Sequence, residues 1–108
     1  MRRGDIVTVA GGVYASKPRS AVIVHDDRLD ATNSAPVCPF TSAPVDAPLL
    51  RVPASADEVN GLDQDSFLMV DKITTVRRSN AHALLGRVEA TTLVEFERRL
   101  LVFLGFGT

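Results

Sequence analysis

His25 and His82 are the only imidazoles in a chain of 108 residues, and so its natural proton carriers near neutral pH. His25 follows the apolar run Ala21-Val22-Ile23-Val24, while His82 lies in a short polar segment, Asn80-Ala81-His82. An isolated histidine is more often structural than catalytic, and His25, at the end of a strand, is the better placed of the two. Arg19 stands where a polar stretch gives way to the same apolar run. Its guanidinium offers phosphate oxygens a planar fork of donors and stays charged, although a solvated arginine beside a strand is the plainer reading. Thr41 ends the proline-flanked run Val37-Cys38-Pro39-Phe40. Its hydroxyl could donate to an anion, and a β-branched residue closing a strand is also common. Asp71 interrupts an apolar stretch and has three roles open to it: general base, arginine-orienting carboxylate, or surface residue at a bulge. The single Cys38 has no activating neighbours and reads as a core residue. No His/Cys/Asp spacing matches a zinc or two-metal site, and there is no phosphate-binding glycine loop, so neither metal nor cofactor is expected.

A modest set of elements must position these residues. At 45% hydrophobic and 23% charged, the composition is that of a globular domain, and residues 1–108 fit one domain. One cysteine allows no internal disulfide, which fits a reducing cytoplasm. Met1-Arg2-Arg3 could open a signal peptide, but Gly4, Asp5 and Thr8 break the apolar region it would need. No run approaches the ~18 apolar residues of a membrane span. The net charge is only −1, but Lys and Arg are in excess in residues 1–20 and 66–88, and acids in residues 21–65. If the two basic segments meet, they form a positive face able to hold phosphates.

Asp5-Ile6-Val7-Thr8-Val9 reads as a strand, ended by Gly11-Gly12. Residues 13–19 read as a polar loop and residues 21–24 as a buried strand. Residues 37–40 read as a strand held at an edge or a bulge, because Pro36 and Pro39 cannot donate ladder hydrogen bonds. Residues 49–52 are a further short strand, and Asn60-Gly61 is a turn pair. Residues 67–70 and 73–76 form one long or bent strand. Then the period changes. Leu93, Val94, Phe96, Leu100, Leu101 and Leu104 recur at helical spacing, with Thr92 and Glu95 as a capping box, Glu95 and Arg99 four apart, and Gly105 as a stop. The expected fold is mainly β: a small curled sheet or barrel of five to seven strands with a C-terminal amphipathic helix packed against it.

Four stretches, in order, resemble the MazF/PemK family of toxin ribonucleases: Arg3-Gly4-Asp5-Ile6-Val7, Lys17-Pro18-Arg19-Ser20-Ala21-Val22-Ile23-Val24, Val37-Cys38-Pro39-Phe40-Thr41, and Met69-Val70-Asp71-Lys72-Ile73-Thr74-Thr75-Val76. The resemblance implies an SH3-like barrel, a symmetric homodimer, metal-independent cleavage of single-stranded RNA by attack of the 2′-hydroxyl, and inhibition by a cognate antitoxin. It casts Arg19 and Thr41 as the catalytic pair and Asp71 as a possible catalytic or supporting residue; His25 is a further possible support, from its place at the end of the buried strand. Lys17, Ser20, Lys72, Arg77 and Arg78 are the expected RNA contacts. Two positions depart from the family pattern: Ser20 stands where Pro is usual, and Tyr14 where some members carry an acid. Residues 26–34 and 41–48 are the loops expected to read bases. A competing resemblance is to the CcdB gyrase poisons of the same fold, through the ending Phe106-Gly107-Thr108; a third reading is a β-barrel interaction module without catalysis.

Overall fold

Which face each strand buries follows from alternation of side chains along it. The structure is a computed structural model that describes residues 1–11, 15–29 and 31–107; Tyr14 lies outside the described residues. It contains strands β1 (Asp5–Gly11), β2 (Ala15–Ile23), β3 (Ser34–Thr41), β4 (Arg51–Ala54), β5 (Ser66–Met69), β6 (Thr74–Arg77) and β7 (Ala81–Arg87), then helix α1 (Ala90–Phe103). Ile6, Val22, Cys38 and Phe40 point to one face and pack with Val52, Leu68, Val88 and Phe96. Val7, Val9, Ala21, Ile23 and Val37 point to the other and meet Val76. A sheet covered on both faces makes its strands read as continuous apolar runs, as residues 21–24 do.

All pairings are antiparallel, in the order β4-β5-β3-β2-β1-β7, with β6 also on β3. The fold is therefore mainly β with a terminal helix, as expected, but the sheet curls without closing. The prolines did not put β3 at an edge. It is central, with β2 on one side and two short strands sharing the other: β6 along residues 34–37 and β5 at Phe40 and Thr41. Pro39 falls in the gap between those two, where no ladder donor is needed. Pro36 lies one step beyond the last β2 pair, Ile23 with Val37, and its carbonyl accepts from Val24 N–H at 3.3 Å. The same division corrects the single bent strand expected over residues 67–76. A 3₁₀ turn, Val70–Lys72, carries the chain from β5 to β6.

Three further corrections concern elements formed by pairing more than by burial. Residues 15–19 are strand, not loop, because β2 pairs β1 as far as Gly11 with Ala15. β7 was not expected at all. It lies along β1, from Asp5 with Arg87 to Val9 with Ala81, and residues 82–85 are exposed. The helix begins at Ala90, ahead of the capping box expected at Thr92, and Glu89 at its N-cap makes no side-chain cap bond. Its apolar face also divides: Leu93, Phe96 and Leu100 pack on the core, while Val94, Leu101 and Leu104 stay exposed. The helix stops at Gly105 (φ 87°), where Gly105 and Phe106 N–H donate to the Val102 and Leu101 carbonyls, a Schellman ending. Glu95 accepts from Arg99 Nε at 2.8 Å, as the spacing predicted.

The turn around Asn60 presses on β7 backbone to backbone. A Cβ on Gly86 would lie 2.1 Å from the Val59 carbonyl oxygen, and one on Gly61 (φ 69°) 2.3 Å from the Leu85 oxygen. Gly86→Ala is therefore expected to destabilise the fold by about 1–3 kcal/mol, the usual cost of overpacking. Denaturant unfolding should show a lower midpoint with unchanged slope; an unchanged midpoint would contradict the close approach.

Candidate active site

Strand register brings Arg19 and Thr41 together across twenty-two positions of sequence. Ala21 faces Pro39, Val22 faces Cys38 and Ile23 faces Val37. Beyond Ala21 and Pro39 the two strands part company, β2 continuing along β1 through Ser20 and Arg19 while Phe40 and Thr41 pair with β5. Arg19 and Thr41 each lie two residues from that last pair, and both line the same two grooves. Arg19 therefore lies within the strand and not at its loop junction, and it is exposed. Its side chain has no ion-pair or hydrogen-bond partner among the described residues, so its fork of donors is available. Thr41 is half-buried, and its Oγ1 accepts from Ala43 N–H at 3.1 Å. That bond uses a lone pair and leaves the hydroxyl proton free to donate.

Two open grooves share Arg19, Phe40 and Thr41. The first, about 430 Å³, has Thr8, Pro18 and Ser20 on the strand side, and Gly61, Leu62, Asp63 and Gln64 on the opposite wall. The second runs past Pro39 to Met69, Lys72, Thr74 and Thr75. The basic segments thus meet only at Arg19 and Lys72. Lys17 is exposed on the same strand two residues before Arg19, but it lines neither groove. Arg77 sits opposite Ser34, and Arg78 Nε donates to the Thr32 carbonyl at 2.6 Å; neither lines a groove. Other basic side chains are engaged elsewhere, Arg3 with Glu97 at 2.8 Å and Arg87 with the buried Asp5.

Asp71 is placed to orient an arginine. Its Oδ1 lies 2.6 Å from Nη1 of Arg51, whose side chain is only 9% exposed. The pair ties β4 to the turn that carries Lys72, and Asp71 itself lines neither groove. His25 lies beyond the end of β2, six residues from Arg19 and up to about 20 Å away along extended chain. It lines neither groove, and the exposed His82 on β7 does not either. Burial pushes the Cys38 thiol up to about 12, so it carries no thiolate at neutral pH and belongs to the core. No group of His, Cys, Asp or Glu among the described residues is placed to hold a metal ion. Of the two loops expected to read bases, residues 41–48 contribute Thr41 to both grooves and Ser42 to the first, and residues 26–34 contribute to neither. The wall at residues 61–66 was missed. Its only sequence signal was the Asn60-Gly61 pair, which marks a turn without saying what the turn faces.

A family model described as PemK-like, MazF-like toxin of type II toxin-antitoxin system matches residues 2–104. The chain belongs to that family. It is 51% identical, over 99% of each chain, to a probable endoribonuclease MazF of Mycolicibacterium smegmatis. Among solved structures, a mycobacterial endoribonuclease in complex with its cognate antitoxin superposes with a TM-score of 0.83 at 19% identity, covering 100% of this chain and 98% of that one. A MazE-MazF crystal structure from Deinococcus radiodurans gives 0.81 at 21% identity, over 99% and 97%. At those identities the superpositions bear on the fold, and they agree with the curled sheet and terminal helix of this family member. No helix among the described residues is long and apolar enough to cross a membrane.

Proposed function

We propose that the chain is an endoribonuclease toxin that cuts single-stranded RNA at selected sequences without a ribosome and is inhibited by a cognate antitoxin. The observation that carries this reading is that Arg19 and Thr41 together line two open grooves. The relative's name as a probable endoribonuclease supports the activity, and the toxin-antitoxin family and a matching complex with an antitoxin support the partner.

In the proposed reaction the RNA 2′-oxygen attacks the adjacent phosphorus, losing its proton as the new O–P bond forms. The bond to the 5′-oxygen breaks and that oxygen takes up a proton, leaving a cyclic phosphate and a 5′-hydroxyl. Negative charge accumulates on the nonbridging oxygens. The Arg19 fork and the Thr41 hydroxyl are donors fixed in advance where that charge develops. A guanidinium holds its proton too tightly to serve as a base, so Arg19 is assigned to charge stabilisation and not to proton removal. Lys72 and Ser20 extend the binding path along the two grooves. The protein is taken as one domain acting as a homodimer in the cytoplasm; exposed Leu101, Val102, Phe103 and Phe106 give a partner copy an apolar surface to cover.

The test is incubation of purified protein with single-stranded RNA, with and without the antitoxin. Cleavage at defined sites that the antitoxin suppresses is the expected result. Poisoning of DNA gyrase with no cut RNA, or neither activity, would overturn the reading.

A further inference from the structure

The wall facing Arg19 and Thr41 is built to stay still. The Asn60 side chain is buried; its Oδ1 accepts from Asp57 and Leu62 N–H at 3.1 and 3.0 Å, and its Nδ2 donates to the Ser55 carbonyl at 2.7 Å. Ser66 Oγ donates to the Gln64 carbonyl at 2.9 Å. Gly61 and Gly86 seat the same segment on β7 without room for a Cβ. Side chains projecting from such a wall are presented from a fixed backbone, which is what discrimination between similar ligands requires.

Three of the wall's carboxylates can be compared. Asp57 accepts from Val59 and Asn60 N–H at 2.8 and 2.7 Å, and Asp65 from Ala56 N–H at 2.8 Å. Both are occupied in shaping the turn. Asp63 has no partner among the described residues, and it is the one carboxylate among them that lines either groove. A carboxylate there repels a phosphate, so the backbone of a bound RNA belongs on the Arg19 side. Leu62 on the wall and Leu85 of β7 add apolar surface to the groove, suited to the face of a base. The groove thus orders one nucleotide, with its phosphate at Arg19 and Thr41 and its base edge at Asp63.

We infer that Asp63 is a specificity residue that admits a base carrying an exocyclic amino group beside the cut and rejects uracil. This rests on the endoribonuclease reading above. An ionised carboxylate only accepts hydrogen bonds. Adenine, cytosine and guanine each turn an amino donor to it. Uracil offers one N–H flanked by two carbonyl oxygens, whose lone pairs face the carboxylate. Gln64, next on the wall, both donates and accepts, and can meet the ring acceptor beside an amino group.

The experiment uses one cleaved RNA in which each nucleotide flanking the cut is replaced in turn by an analogue lacking the amino group. Purine riboside replaces adenosine, inosine replaces guanosine, and pyrimidin-2-one riboside replaces cytidine. At one position the loss should lower kcat/KM of the wild-type protein by about tenfold or more, the ordinary worth of a good base-edge contact. Asp63→Asn, which can donate as well as accept, should lose that sensitivity and accept uracil there. Equal sensitivity in wild type and variant, or wild-type cleavage with uracil tolerated at every flanking position, would overturn the assignment while leaving the nuclease reading intact. A wild-type protein that cuts no RNA at all would overturn the nuclease reading itself. The wild-type analogue series decides the matter even if the variant folds poorly.

Discussion

Arg19→Ala is expected to cut RNA about 10²–10³-fold more slowly than the wild-type protein, the usual loss for one donor aimed at developing charge. The effect should fall on chemistry and not on folding. Arg19 is exposed on β2 and anchors nothing among the described residues, and its backbone pairing with Val9 does not depend on its side chain. Surface substitutions of this kind usually change stability by no more than about 0.5 kcal/mol. The measurement is single-turnover cleavage alongside thermal unfolding. Near-normal turnover by a folded Arg19→Ala protein would remove Arg19 from the reaction.

A substrate with one 2′-deoxy nucleotide just 5′ of the cut should bind and resist cleavage altogether. The nucleophile proposed here is part of the RNA, held beside the phosphorus it attacks, so deleting one oxygen removes the reaction and few of the contacts. The demand falls on the substrate and not on added ions, so full activity should persist in excess EDTA. Binding is read by fluorescence anisotropy and cleavage on a gel. Cutting of the deoxy-substituted strand at the same bond would sink the mechanism, as would inhibition by EDTA that magnesium reverses.

How legible these features were in the sequence depended on whether burial or pairing makes each element. Residues 5–9 and 21–24 are buried on both faces of the sheet, and their apolar runs announce them. The helix declares itself through Leu93, Phe96 and Leu100, which pack inward. β7 is the opposite case. Residues 82–85 are exposed, and the strand exists because β1 has a free edge for it, which no hydrophobic pattern reports. The first half of β2 hides for the same reason, with Lys17, Pro18 and Arg19 looking like loop residues. Pro36 and Pro39 misled because one strand can have two partners along the same edge, with a gap between them. At the candidate site, Arg19 and Thr41 were found through a resemblance, and that they share two grooves follows from the pairing of β2 with β3 two residues away. Asp63 was invisible, since an unpaired aspartate in a polar turn resembles any other until the opposite wall is known.

The pairing of β1 with β7 also sets the order in which the molecule can be completed during synthesis. Asp5 and Arg87 are 82 residues apart in the chain. At about 5–20 residues per second, a ribosome needs roughly 4–16 s to travel between them. Over that interval β1 can pair with β2, but its other edge waits uncovered, an exposed template for stray strands. Residues 57–66 wait as well, because the surface they lean on is β7. The groove is therefore one of the last features to take shape, and a half-made chain can have β2 and β3 paired without the facing wall. Completion of the groove thus waits on the last strand of the sheet, whose docking on β1 closes the exposed edge and seats the wall in one step.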